Sequence, residues 1–230
     1  MWNDKYTYIS LMIGSVIFPF LFSFEKNISF RKFWKPLFIS ILVPGVFFIV
    51  WDVLFTKLNF WSFNDLYTLG PRVAGLPIEE WLFFVVIPYC SIFIYEVIKF
   101  YIPYFQINKY VYAFLWLVVF LFGVFAVMSF GKWYTFINML CNILFLIFVL
   151  TQKDFYKNLT HFLLAFLVAC IPMFIVNGVL TSMPVVEYNS LFFSNIRVMN
   201  IPVEDFSYFL LLMLMNVYVF EKFKPAFLST

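Results

Sequence analysis

Polar positions are scarce along this chain, and their placement divides it into seven apolar stretches separated by short polar segments. An α-helix rises 1.5 Å per residue and needs about 20 apolar residues to cross the hydrocarbon of a bilayer. Seven stretches approximate that length: Tyr6–Phe24, Leu37–Phe55, Ile78–Tyr101, Val111–Phe130, Trp133–Leu150, His161–Leu180 and Val203–Phe220. Trp2, Trp34, Trp61 and Trp133 stand near their ends, where an amphipathic indole suits the membrane interface. The first stretch lacks the small-residue cleavage site of a signal peptide, so it is read as a span. The pattern predicts an all-α, polytopic membrane protein with seven transmembrane helices.

Composition agrees. Hydrophobic residues make up 64% of the 230 and charged residues 12%, against about 45–50% and 25% in soluble domains. A soluble fold cannot hide that surface, because even a domain of about 300 residues buries only ~75% of what its unfolded chain exposes. The formal charge of +3 is dispersed, which argues against a nucleic-acid partner. No glycine-rich dinucleotide or phosphate motif occurs, so no cofactor is expected. Cys90, Cys141 and Cys170 fall within apolar runs and His161 is the single histidine. No metal site is expected, and the cysteines are read as small buried hydrophobes.

Basic residues orient the chain. The odd connections and the C-terminus carry ten (Lys26, Arg31, Lys32, Lys35, Lys99, Lys109, Lys153, Lys157, Lys222, Lys224), while the N-terminus and even connections carry five (Lys5, Lys57, Arg72, Lys132, Arg197). The positive-inside rule therefore predicts an external N-terminus and a cytoplasmic C-terminus.

A shift of 125 residues aligns the chain with itself where its residues are rarest. Asn64 meets Asn189, Arg72-Val73 meets Arg197-Val198, Pro77 meets Pro202, and Glu79-Glu80 meets Glu204-Asp205. Glu96 meets Glu221 and Lys99 meets Lys224. The shift carries spans 1–3 onto spans 5–7 and leaves span 4 as a connector. The predicted organisation is a 3+1+3 parallel internal repeat: residues 1–104, a connector helix at 105–130, and residues 131–230. Four spans separate equivalent helices, so both long loops should open on one face, predicted external, about a pseudo-two-fold axis along the membrane normal.

Each of these loops ends in proline and two acids at a helix start, Leu76-Pro-Ile-Glu-Glu-Trp-Leu-Phe-Phe84 and Ile201-Pro-Val-Glu-Asp-Phe-Ser-Tyr-Phe209. Proline and carboxylates are ordinary N-terminal helix signals. Acids this close to hydrocarbon are nevertheless costly and usually functional. Residues at i and i+4 share a helix face, which sets Glu79 and Glu80 beside Phe83 and Phe84, and Glu204 and Asp205 beside Tyr208 and Phe209. Desolvation favours the protonated carboxyl that a general acid requires, and aromatic faces stabilise a nearby cation. Acids with rings can protonate an alkene and hold the carbocation; the same rings also read as helix packing.

The supporting residues carry alternatives. Arg72 and Arg197 each lie seven positions before the first acid; they either pair with a carboxylate or anchor the loop at the headgroups. Asp52, whose equivalent is Asn177, reads as a second proton carrier or a capping group. Glu96 and Glu221 lie 17 residues beyond the first acids, so ~25 Å further along the helix. With Lys99 and Lys224 at i+3 they are expected to form surface ion pairs.

Trp51-Asp52, Phe60-Trp61-Ser-Phe-Asn64, Tyr67-Thr-Leu-Gly70, the Pro-x-Glu-Glu motif, Val176-Asn-Gly178 and Pro202-Val-Glu-Asp205 resemble the small integral-membrane lycopene cyclases. That family is made as two short subunits or, in many bacteria, as one fused chain, which this sequence resembles over nearly all its length. The resemblance implies a lycopene β-cyclase of the bacterial inner membrane. It would convert linear ψ-ends of lycopene, or a related linear carotenoid, to β-ionone rings without a redox cofactor. Glu79, Glu80, Glu204 and Asp205 are then the candidate acids and bases. Trp81, Phe83, Phe84, Tyr208, Phe209, Trp51 and Trp61 are candidates to line the cation site, with Asp52, Asn177, Arg72 and Arg197 in support. The partners implied are the carotenoid and the bilayer, and a homo-oligomer is compatible with the sequence.

Two alternatives share these features. Small-solute carriers also use a 3+1+3 repeat, and Ser91 and Asn216 are equivalent polar positions inside spans 3 and 7. A carotenoid hydratase would use the same acid but admit water. Retinal-binding seven-helix proteins need a lysine in the last span and prenyltransferases need aspartate-rich Mg²⁺ motifs; neither occurs within these spans.

Overall fold

The computed structural model describes residues 4–228, so Trp2 lies outside the described residues. Within them, seven helices are long and apolar enough to cross a membrane. They are α1 (Thr7–Phe22), α2 (Trp34–Lys57), α3 (Ile78–Tyr101), α4 (Asn108–Met128), α5 (Trp133–Thr151), α6 (Leu159–Ser182) and α7 (Val203–Leu228). Proline opens α3 and α7 from the position before the first helical residue, with Glu79-Glu80 and Glu204-Asp205 in the first turns. Helix α7 is the most enclosed: 67% of its apolar window is buried, against 17% for the span containing α1 and 22% for α4. It packs against α2, α3 and α5, while α3 packs against α1, α2 and α6. The motif-bearing helices thus form the centre, with α1 and α4 outside.

Helix α7 continues past its predicted end at Phe220 because the charges beyond it have partners. Lys224 Nζ donates to both oxygens of Glu96, at 2.6 and 2.7 Å, and Lys99 Nζ donates to Glu221 at 2.8 Å. The closest contacts are thus a reciprocal exchange between α3 and α7, and of the expected pairings within each half the second also persists. Lys224 and Glu221 are only 4.0 Å apart. Nor is the cluster a surface feature: the Glu96 side chain is 6% exposed and that of Lys224 16%. Two helices packed at the molecular centre leave these carboxylates little water, so each takes the lysine that faces it.

At the other end the two long loops meet. Strand β1 (Trp61–Phe63) pairs antiparallel with β4 (Val186–Tyr188), with Ser62 opposite Glu187, Trp61 opposite Tyr188 and Phe63 opposite Val186. Ser62 and Glu187 are 125 positions apart, so the ribbon is centred on one such pair. Each loop then turns through a short hairpin, β2 (Arg72–Val73) with β3 (Leu76–Pro77), and β5 (Arg197–Val198) with β6 (Ile201–Pro202). The first turns through Ala74 and Gly75, both at positive φ (54° and 91°), the backbone that matches strand twist in a two-residue hairpin. Both acid pairs consequently enter the bundle from the same end.

Candidate active site

The hairpins aim the two acids of each pair differently. Glu79 Oε1 accepts the backbone N–H of Leu69 at 2.6 Å. Glu204 Oε1 accepts the N–H of Ser194 at 2.8 Å and the hydroxyl of Thr135. Leu69 and Ser194 are again 125 apart. The first acid of each pair is fully buried and ties its own loop to its own helix.

The second acids turn inward, onto a cavity of about 460 Å³. Glu80 Oε2 accepts the Tyr8 hydroxyl at 2.5 Å, and its carboxyl lies beside that of Asp52. Asp52 Oδ1 also accepts the Tyr208 hydroxyl at 3.1 Å, from the other half of the chain. On α7, Asp205 Oδ1 accepts from Tyr134 at 3.0 Å, and its Oδ2 accepts from Tyr188 at 2.8 Å and the Asn177 amide at 3.2 Å. Tyr188 lies on β4, outside the spans. Burial, reinforced by the neighbouring Asp205 charge, pushes its phenol well above the usual range, so it stays a donor. Three carboxyl groups (Asp52, Glu80 and Asp205) line one end of a cavity whose remaining wall is mostly apolar.

Trp61, Phe83, Tyr208 and Phe209 line the cavity, as does Asn177. Trp51 stands behind Tyr208, edge-on with ring centres 5.7 Å apart. Phe84 is buried behind the wall and stacks on Phe48 at 6.0 Å. Trp81 turns its indole N–H to the carbonyl of Val73 at 3.2 Å, away from the cavity. The arginines serve the loops. Arg72 pairs with Asp65 at 2.6 Å and donates to the carbonyls of Phe63 and Gly75. Arg197 donates to the carbonyl of Asn200 at 2.5 Å and lies over the Phe193 ring. Neither forms an ion pair with a motif acid; both donate to carbonyls of their own loops. Ser91 lines the cavity, whereas Asn216 is buried and donates to the carbonyl of Leu212. The three cysteines are half-buried rather than buried.

Tyr8, Tyr134 and Tyr188 were not among the sequence candidates. Tyr8 and Tyr134 differ by 126 positions, so an ungapped 125-residue shift sets Tyr8 against Trp133. A one-residue offset before the first loop brings tyrosine onto tyrosine. Tyr188 reaches Asp205 only because the loops pair, a contact no local pattern encodes.

Membrane-length helices enclosing a carboxyl-ended apolar cavity define a class, the multi-pass membrane proteins with an intramembrane site. Within that class the assignment is specific. A family model described as lycopene cyclase matches the chain twice, over residues 5–98 and 131–223, together more than four-fifths of its length. The chain belongs to the lycopene cyclase family, a group of carotenoid cyclases acting in membranes. Comparison with curated proteins and with solved structures gave no match.

Proposed function

We propose that this protein is a lycopene β-cyclase that closes β-ionone rings by proton-initiated, non-redox cyclisation. A proton delivered to C2 of a ψ-end leaves a cation at C1. The C5–C6 double bond attacks it through C6, forming the C1–C6 bond and moving the cation to C5. Loss of the C6 proton restores the C5–C6 double bond. The proton added is balanced by the proton lost, and the reaction is an isomerisation.

Glu80 and Asp52 supply the proton in this reading, since two adjacent carboxyl groups attract only when one holds a proton. Asp205, held by three donors, receives the proton from C6. The rings of Trp61, Phe83 and Tyr208 face the cationic carbon, and the apolar wall keeps out the water that would trap it as an alcohol. Glu79 and Glu204 hold the loops in place. The halves are read as a 3+1+3 repeat in the bacterial cytoplasmic membrane, N-terminus outside, with the acid end towards the external face. The observation that carries the proposal is that the second acids of both halves share one apolar cavity.

Expression in lycopene-accumulating bacteria tests it, and ring-bearing carotenoids are expected to replace lycopene. Unchanged pigment rejects the cyclase, and a hydroxylated acyclic pigment indicates the hydratase instead. Glu79→Gln separates anchoring from chemistry. It is expected to weaken the Leu69 contact and lower thermal stability by about 1–3 kcal/mol, while cyclisation per folded molecule stays within about tenfold of wild type. A loss as large as that of a general acid, ~10²–10⁴-fold, would make Glu79 a participant in the proton transfer.

A further inference from the structure

The cavity is less symmetric than the acids at its head. From α2 and α5 it takes only Asp52 and Tyr134, but it follows α3 from Glu80 to Ile94 and α6 from Leu180 to Ala169. At 1.5 Å per residue the lining of this groove runs ~21 Å along α3 and ~17 Å along α6. Its rim is exposed: Gly14 and Phe18 of α1 and Pro172 of α6 line the cavity yet are open on the outer side, Phe18 being 63% exposed. Gly14 lies midway along α1 and Pro172 near the middle of α6, the depth of the hydrocarbon core. An opening there meets lipid and not water.

The cavity does not follow the corresponding flank between α5 and α2, where the equivalent side chains are larger. Gly14 corresponds to Leu140 by the 126-residue offset of the first helix, and Cys90 and Ser91 to Met215 and Asn216 by the shift of 125. A β-carbon built on Gly14 meets nothing within 4 Å, so its position is open space.

Resting on the cyclase reading, we propose that the groove between α1 and α6 admits the linear carotenoid sideways from the bilayer and holds one end at a time. Both halves then serve a single ring closure. An extended carotenoid is comparable in length to the hydrocarbon core, about 30 Å, so its far end stays in the lipid. A second ring requires release, reversal and return through the same opening.

Vesicles carrying the full chain and lycopene provide the test. Gly14→Trp is expected to slow lycopene consumption per folded molecule by on the order of tenfold or more, as misplacement of a substrate does. Leu140→Trp, at the corresponding position on the flank the cavity does not follow, should remain close to wild type. Equal effects of the two, or none from Gly14→Trp, overturn the proposal. In a second measurement, isotopically labelled one-ring carotenoid is added to vesicles containing unlabelled lycopene. Label entering the two-ring product in proportion to its share of the pool, or release of one-ring product as the end point, supports one end per visit. Two-ring product drawn undiluted from lycopene overturns it. A wild-type protein that consumes no lycopene rejects the underlying cyclase reading itself, an outcome distinct from either of these.

Discussion

Replacing Glu80 by glutamine is expected to reduce lycopene conversion by ~10²–10⁴-fold, the contribution of a positioned general acid. The amide keeps the size of the side chain and can still meet the Tyr8 hydroxyl, which lies 2.5 Å from Glu80 Oε2. What it removes is the exchangeable acid proton beside Asp52, so the loss should fall on the chemical step and not on the amount of folded protein. The measurement is lycopene consumed in membranes, normalised to folded protein, with Glu79→Gln as the neighbouring comparison. Asp52→Asn gives the first half the same residue that Asn177 provides in the second, and a loss of similar order is expected if the two carboxyls act as one donor. Near-normal turnover in Glu80→Gln would remove the proton-donor assignment, whatever the pigment formed by the wild type.

The second large effect is on stability and arises at the opposite end of the bundle. Lys224→Met leaves Glu96 facing Lys99 and Glu221 without the cation that now touches both its oxygens. Removing one partner of a buried ion pair costs about 3–5 kcal/mol, because the remaining charge is held away from water. With Glu96 6% exposed at its side chain, the loss should lie within that range. It should be read as faster thermal inactivation in detergent. Combining Lys224→Met with Glu96→Met replaces both charges by apolar groups of comparable length, and most of the stability should return. Activity per surviving molecule should change little in either variant, since the cluster lies ~25 Å along the helix from the acids. A double variant less stable than Lys224→Met alone would contradict this account.

Much of the architecture was legible along the chain because bilayer thickness constrains helix length directly. Helix α3 begins and ends where the apolar stretch Ile78–Tyr101 does. The departure at α7 is instructive, since Glu221, Lys222 and Lys224 lie beyond the predicted span and read as a surface cluster until Glu96 is placed opposite Lys224. Charged residues past an apolar stretch continue the helix where partners are packed against them. The acid pairs were equally visible, for their loops and prolines recur at a fixed interval.

The division of labour within each pair was not. Glu79 and Glu80 are adjacent and chemically alike, and their directions differ because one meets the Leu69 amide and the other meets Tyr8 and Asp52. The amino-acid sequence alone determined seven membrane-length helices and the recurrence of Pro-x-acid-acid at two helix starts, because hydropathy, helix rise and turn chemistry act over short stretches. Tertiary structure decided which acids face the cavity, that Tyr208 serves Asp52 from the other half, that lysines exchange partners between α3 and α7, and that the cavity runs along α1, α3 and α6. Those outcomes depend on distances between residues as many as 156 positions apart, which packing sets and local pattern does not encode.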